Sequence, residues 1–412
     1  MPAYSRSSLQ HALLFSIFYL SAVGSATAGA IDSCPAASAA EGFWKRLEYS
    51  YRSHLSSAPS PDDTQDGSGV RAGQPPAPLS SPPWPYSVYN EGGTELIGYE
   101  NLYANALMDA LYCGSHGQGW KDSRVTIYGW IEPGANVSTS TTQFNKQTGT
   151  GGNYPAAYSY EPNTIQLDQA ALYIERTPDE IQTIHNDWGF RLALLYGTDY
   201  KYTFANDILS YQYTEDKRLY GFDPVMYYLD FYFPRFFQGE NLRVGRYISI
   251  PDIEAQLAPN NITYSHSLLY TYDPYTQNGV VSTTLLNKNW RVQLEFSGGN
   301  DISPFAKGLR QFTPAACLIY TTDSGRDALY PCMNGLNNQR FGWNNIQHAV
   351  TTWYHKFDEH WHMDAEAWYM WQKDTPNVLN PQGAAILAAD FPAPEYNIGA
   401  PSGAQCSHLA AL

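Results

Sequence analysis

The side chains best equipped for chemistry are the carboxylates and histidines crowded into "YHKFDEHWHMDAEAWYMWQ" (354–372), and the arginines set singly into aromatic runs. Asp364 and Glu366 are two apart, so on an extended strand both carboxylates share a face about 7 Å from each other. Such a pair suits glycoside hydrolysis; it suits the wall of a polar lumen equally well. No Gly-x-Ser-x-Gly, phosphate loop or nucleophile with a base accompanies it, so the expectation is not an enzyme. His360 and His362 could ligate a metal from one strand face, but turn and interface histidines are far commoner. No Cys-x-x-Cys spacing exists either, so no metal and no cofactor are expected.

The element that must position these groups is a strand. Within "WHMDAEAWYMWQ" the odd positions are Trp361, Met363, Ala365, Ala367, Tyr369 and Trp371, while the even positions begin His362, Asp364 and Glu366. Period-2 alternation marks a strand with two unlike faces. The same reading puts Trp188, Phe190, Leu192, Leu194 and Tyr196 on one face of "WGFRLALLYG", opposite Arg191. In "VMYYLDFYF" it groups Val225, Tyr227, Leu229, Phe231 and Phe233 against Asp230. In "WRVQLEFS" it groups Trp290, Val292, Leu294 and Phe296 against Arg291 and Glu295. No helix-period run of useful length lies between these strands, so parallel βαβ units are not expected.

Bulk properties narrow the class. The 412 residues carry a formal net charge of −15 with only 15% charged residues, which argues against nucleic acid as a partner. Thirty-three tyrosines suit an apolar–water boundary, and a mean hydropathy of −0.41 excludes a helical membrane protein. Arg6, the apolar run Ala12 to Gly24 and the small residues "SATAGA" read as a signal peptide over 1–28. A short amphipathic helix is expected over 29–57, with Phe43, Leu47, Tyr51 and Leu55 at four-residue steps. A Pro/Ser/Gly-rich linker follows at 58–100, then a short helix at 101–121 and strands over 122–412. Of five cysteines, Cys317 and Cys332 flank one loop that a disulfide could staple, and Cys406 fits the odd thiol.

Short turns such as "NKN" and "FDEH" alternate with long Gly/Asn/Pro-rich connections, the habit of outer-membrane barrels. The three aromatic stripes, with Trp361, Met363, Tyr369 and Trp371, would then face lipid. Arg191, Asp230, Arg243, Arg246, Arg291, Glu295, Asp364 and Glu366 would line the interior. There they either set a transverse field that selects ions or pair in structural salt bridges. In "RYISIPDIEAQLAPNN" (246–261), Pro251 and Pro259 take the chain out of the sheet. An inward-folded loop with Arg246, Asp252 and Glu254 at a constriction is one reading of it; an ordinary surface loop is the other. The competing architecture is a soluble secreted β-sandwich that binds carbohydrate through its aromatics.

"YGWIEPGANVSTS", "DWGFRLALLYGTDYKY", "YGFDPVMYYLDFYFP", "RVGRYISIPDIEAQLAPNN" and "WYMWQKDTPNVLNP" resemble outer-membrane β-barrel porins of the OmpL-like, porin-2 type, from about Ser123 to Pro381. The resemblance implies an all-β antiparallel transmembrane barrel with short periplasmic turns and long extracellular loops, in the outer membrane of a Gram-negative bacterium. It implies passive diffusion of small polar solutes or ions, with membrane lipid as partner, and it leaves an oligomer open. Family members close on a terminal aromatic strand, whereas this chain ends in "PSGAQCSHLAAL". The expectation is therefore a barrel missing its last strands.

Overall fold

The computed structural model of the chain describes residues 42–56, 106–140, 152–153, 158–159, 161–180, 182–205, 208–216, 218–249, 264, 275–305, 312–324, 326–336, 346–357 and 362–372. The expected signal peptide, the linker, Asp252, Glu254, Trp361 and Cys406 lie outside them.

Eleven strands run in chain order: β1 (Thr126–Ala135), β2 (Ile165–Arg176), β3 (Asp187–Gly197), β4 (Gly221–Phe233), β5 (Glu240–Ile248), β6 (Thr276–Leu285), β7 (Trp290–Asn300), β8 (Thr313–Thr321), β9 (Asp327–Asn334), β10 (Ile346–Lys356) and β11 (His362–Gln372). Each pairs antiparallel with the next, giving one sheet in the order β1 to β11. The β-sandwich would need a second sheet to cover the aromatic stripes, and the described strands form one. At 8 to 13 residues, the strands match the length a tilted strand needs to cross the hydrocarbon layer. No helix among the described residues is long and apolar enough to cross a membrane.

The connections alternate strictly. One end of the sheet carries the short links 177–186, 234–239, 286–289, 322–326 and 357–361; the other carries 136–164, 198–220, 249–275, 301–312 and 335–345. Two one-turn helices, α4 (Tyr200–Thr203) and α5 (Tyr211–Thr214), belong to the second of the long connections.

Before the sheet come α1 (Phe43–Ser56), α2 (Ala106–Tyr112) and α3 (Gly117–Ser123), which leads into β1 at the short-link end. The buried side of α1 runs through Ser50, while Tyr51 is 55% exposed. The four-residue stripe expected from the sequence therefore drifts off the packed face, because 3.6 residues make a turn. Arg46 Nε donates to the Ala110 carbonyl at 3.0 Å, tying α1 to α2. The Ile127 N–H on the outer edge of β1 donates to Met108 Sδ of α2 at 3.2 Å.

The alternation read from the sequence is realised most cleanly in β7. Trp290, Leu294 and Phe296 are 38%, 45% and 49% exposed, while Arg291, Gln293 and Glu295 between them are each 0%. In β3, Trp188 and Tyr196 are half-exposed and Arg191, Ala193 and Leu195 are buried. β4 departs from strict parity. Ala193 pairs with Met226 but Leu195 pairs with Asp223, so Pro224 and Val225 together oppose Leu194. Proline cannot donate to the ladder and favours such a bulge. The extra residue turns Val225 inward to 1% exposure, correcting its expected place on the outer stripe; Leu229 is 47% exposed, and Phe231 and Phe233 are intermediate.

Two more bulges stand at the same level. Asp168 is the extra residue of β2 opposite Glu132 and Pro133. In β7, Gly298 and Gly299 together oppose Asn278, where pairing slips between Gln277 and Gly279; Gly299 takes φ 125°, a backbone glycine alone adopts freely. All three bulges lie at the long-connection end, as barrel rims favour.

Candidate functional site: the inner face of the sheet

Cross-strand register decides which inward charges meet. Glu175 stands opposite Arg191, and the carboxylate accepts from Arg191 Nε at 2.5 Å. Asp230 stands opposite Arg243, whose Nε and Nη2 donate to its two oxygens at 2.9 and 3.1 Å. Arg191 in turn stands opposite Tyr228. The Arg243 guanidinium lies 3.9 Å from the Tyr228 ring centre, with that of Arg191 at 5.7 Å. Carboxylate, guanidinium, ring, guanidinium and carboxylate thus alternate across β2 to β5. Every ion-paired side chain in this array is 1–4% exposed. Charges so far from bulk water persist only when paired and hydrogen-bonded.

Arg246 is 0% exposed and serves as a fastener near the rim. Its Nη1 and Nη2 donate to Asp223 at 3.0 and 3.1 Å, and to the carbonyls of Pro224 and Thr203 at 2.6 and 2.5 Å. It therefore holds the bulge of β4 and the 198–220 connection to β5. Neither Asp252 nor Glu254, its expected companions at a constriction, is among the described residues.

A second polar cluster forms at the rim, where the β2 bulge turns Asp168 and Gln169 inward together. Asp168 accepts from Tyr264 Oη at 2.8 Å and Thr198 Oγ1 at 3.0 Å. Gln169 Nε2 donates to Asp199 at 2.9 Å and its Oε1 accepts from Trp130 Nε1 at 3.2 Å. Burial, then the nearby Asp168 charge, push the Asp199 carboxyl well above the usual range. Sequence reasoning passed over this cluster; the Pro133 of β1 was its one signal. Nearby, Asp301 accepts from the backbone N–H groups of Tyr275 and Thr276 at 3.1 and 2.6 Å. Burial raises its pKa to about 6 against the pull of those donors.

The opposite end is closed differently. The 177–186 link reaches β4 and β5 through Tyr232 Oη, which donates to the Gln182 carbonyl at 3.0 Å, and Asn241 Nδ2, which donates to Glu180 at 2.5 Å. Glu180, Asn241 and Tyr232 are all buried.

Arg291 and Glu295 are both 0% exposed on the inner face of β7. Glu366 is half-buried beside Thr352 of β10; the Asp364 side chain is not among those described. Phe190, Leu192, Leu194, Tyr227, Val292, Met363 and Trp371 are intermediate in exposure, and Tyr369 is 58% exposed. Cys317 and Cys332 stand directly opposite across β8 and β9 and form a disulfide, so the bridge joins strands on the inner face rather than the tip of a loop. His355 Nδ1 lies 2.6 Å from Asp327. No group of three metal-ligating side chains occurs among the described residues.

A single antiparallel sheet with short links at one end, long ones at the other, aromatics outside and paired charges inside defines a porin-type β-barrel protein. Residues 124–395 match the family model "putative beta-barrel porin-2, OmpL-like", and the chain belongs to that family. Membership places it among porin-type barrels of the outer membrane. No curated protein and no solved structure matches the chain.

Proposed function

We propose that the protein is a passive outer-membrane channel through which small polar solutes or ions diffuse along the inner face of the sheet. The observation that carries this reading is the sidedness of β7: Trp290, Leu294 and Phe296 turned out, Arg291, Gln293 and Glu295 turned in. An apolar surface rich in rings at the strand ends suits acyl chains flanked by headgroups, and polar side chains on the other face suit water and solute. The array Glu175–Arg191–Tyr228–Arg243–Asp230 fixes the wall and presents little net charge of its own. With Arg246 on Asp223, three arginines are committed to structure, and selection among ions falls to groups elsewhere on the inner face.

The test is reconstitution into planar bilayers. Stepwise conductance in potassium chloride, with lipid vesicles that swell in small sugars, supports the reading. A folded, membrane-inserted protein that passes neither salt nor sugar overturns it.

A further inference from the structure

Among the described residues, several buried polar atoms without a hydrogen-bond partner fall in one transverse row. Glu295 of β7 stands opposite Ala315 of β8. The Ala316–Met333 pairing sets Ala315 opposite Asn334 of β9, Asn334 stands opposite His348 of β10, and His348 opposite Met370 of β11. All five are on the inner face, at 0–3% exposure. Both polar atoms of Asn334 and both ring nitrogens of His348 are buried without a hydrogen-bond partner among the described residues, and Glu295, whose polar neighbour is Ser297, keeps at least one oxygen without one. Leaving a buried donor or acceptor unmade is costly, and native structures keep few such groups. Such a row, spread from β7 to β10 on strands about 5 Å apart, calls for a partner beyond the described residues.

The chemistry of the row names that partner. A carboxylate offers acceptors only, an amide offers both donors and acceptors, and an imidazole offers one of each when neutral. Together they match hydroxyl groups, which donate and accept at once. Ala315, the smallest side chain of the row, separates the carboxylate from the amide by two strand spacings, about 10 Å. That spacing suits groups borne at separate points of one molecule with several hydroxyls. Trp368, two residues along β11 from Met370 on the same face, packs against the inner cluster and adds an aromatic surface beside the row. A chelated metal fits less well, since Glu295 and His348 stand three strands apart.

We propose that the Glu295–Asn334–His348 row is a binding station for a small neutral polyhydroxylated solute in transit. The proposal rests on the channel reading above and names its substrate class. The test uses proteoliposomes of the full chain, swelling in D-glucose against triethylene glycol, a solute of similar size with few hydroxyls, alongside potassium chloride conductance. The native protein is expected to admit glucose about five-fold faster, roughly what one neutral hydrogen bond contributes. Asn334→Leu and His348→Leu are expected to erase that preference while salt conductance holds. Heat-modifiable gel migration checks that each variant folds; where a leucine variant does not, Asn334→Ala reads the same quantity. A preference absent from the native protein, or unchanged in the variants, means the row holds water only and overturns the proposal. Loss of all flux in the native protein instead overturns the channel reading, and the station with it.

Discussion

Arg243 holds its guanidinium 3.9 Å from the centre of the Tyr228 ring while two of its nitrogens grip both oxygens of Asp230. The three residues occupy the inner faces of neighbouring strands, and all are 5% exposed or less. A guanidinium over a desolvated ring gains on the order of 2 kcal/mol. The ring also spaces Arg243 from Arg191, so two cations share one wall without repelling at close range.

Breaking this pair from one side strands a buried charge. Arg243→Leu is expected to cost about 3–5 kcal/mol, and the double variant Arg243→Leu/Asp230→Leu to recover much of that loss. Urea unfolding in lipid vesicles, followed by gel shift, measures both. Equal losses in the single and double variants would show that the two charges are not coupled.

The outer face makes a depth-dependent prediction. Leu294→Arg, in mid-strand, is expected to cost about 2–4 kcal/mol, and Trp290→Arg, at the strand end, about 0–1 kcal/mol in charge burial. The same unfolding assay ranks them, with Trp290→Gln subtracting the lost ring contacts. An equal charge penalty at both positions would remove the membrane depth scale.

How much of this was legible from sequence depended on what set each contact. Trp188 to Tyr196 and Trp290 to Phe296 were readable because a pleated strand converts parity directly into sidedness. Val225 was misread because the bulge at Pro224 shifts that parity, and a bulge depends on the partner strand as much as on its own residues. Arg191, Arg243 and Arg246 were recognisable as inward, but their partners Glu175, Asp230 and Asp223 were set by register. The Asp168–Gln169–Asp199 rim cluster stayed hidden for the same reason: its members are far apart in the chain and meet only once β1, β2 and β3 are aligned.

The Cys317–Cys332 bridge closes a separation of 15 residues. Chain entropy gives such a loop about 3 kcal/mol of stabilisation. Reduction under partly denaturing conditions, or Cys332→Ser with Cys317→Ser, is expected to lower stability by that order. Unchanged unfolding in dithiothreitol, with free thiols confirmed by labelling, would contradict it.

Asp301 predicts a pH dependence at the rim. Its folded pKa is raised from 3.8 to about 6, so the native state holds the proton more tightly than the unfolded chain. Its contribution is therefore complete below about pH 4 and is lost as pH rises through 6, about 3 kcal/mol in all. Asp301→Asn should flatten that window. Stability measured from pH 4 to 7 checks the sign: a native protein that gains stability relative to the variant across the window would contradict it.

Gly245 of β5 takes φ 143°, and a Cβ there would fall on the Tyr227 carbonyl oxygen. Gly245→Ala is expected to weaken the β4–β5 pairing and loosen the Arg243–Asp230 contact. Faster amide exchange across β4 and β5, with other strands unaffected, is the readout; unaltered exchange would contradict it.

Which face of the sheet meets lipid decides whether the chain is a membrane barrel. Single cysteines placed at 292, 294 and 296, and in turn at 293 and 297, can carry a fluorophore in vesicles containing nitroxide-labelled lipids. Strong quenching from the even positions and weak quenching from the odd ones is the predicted result. Equal quenching of both sets, or stronger quenching of the odd set, would contradict it.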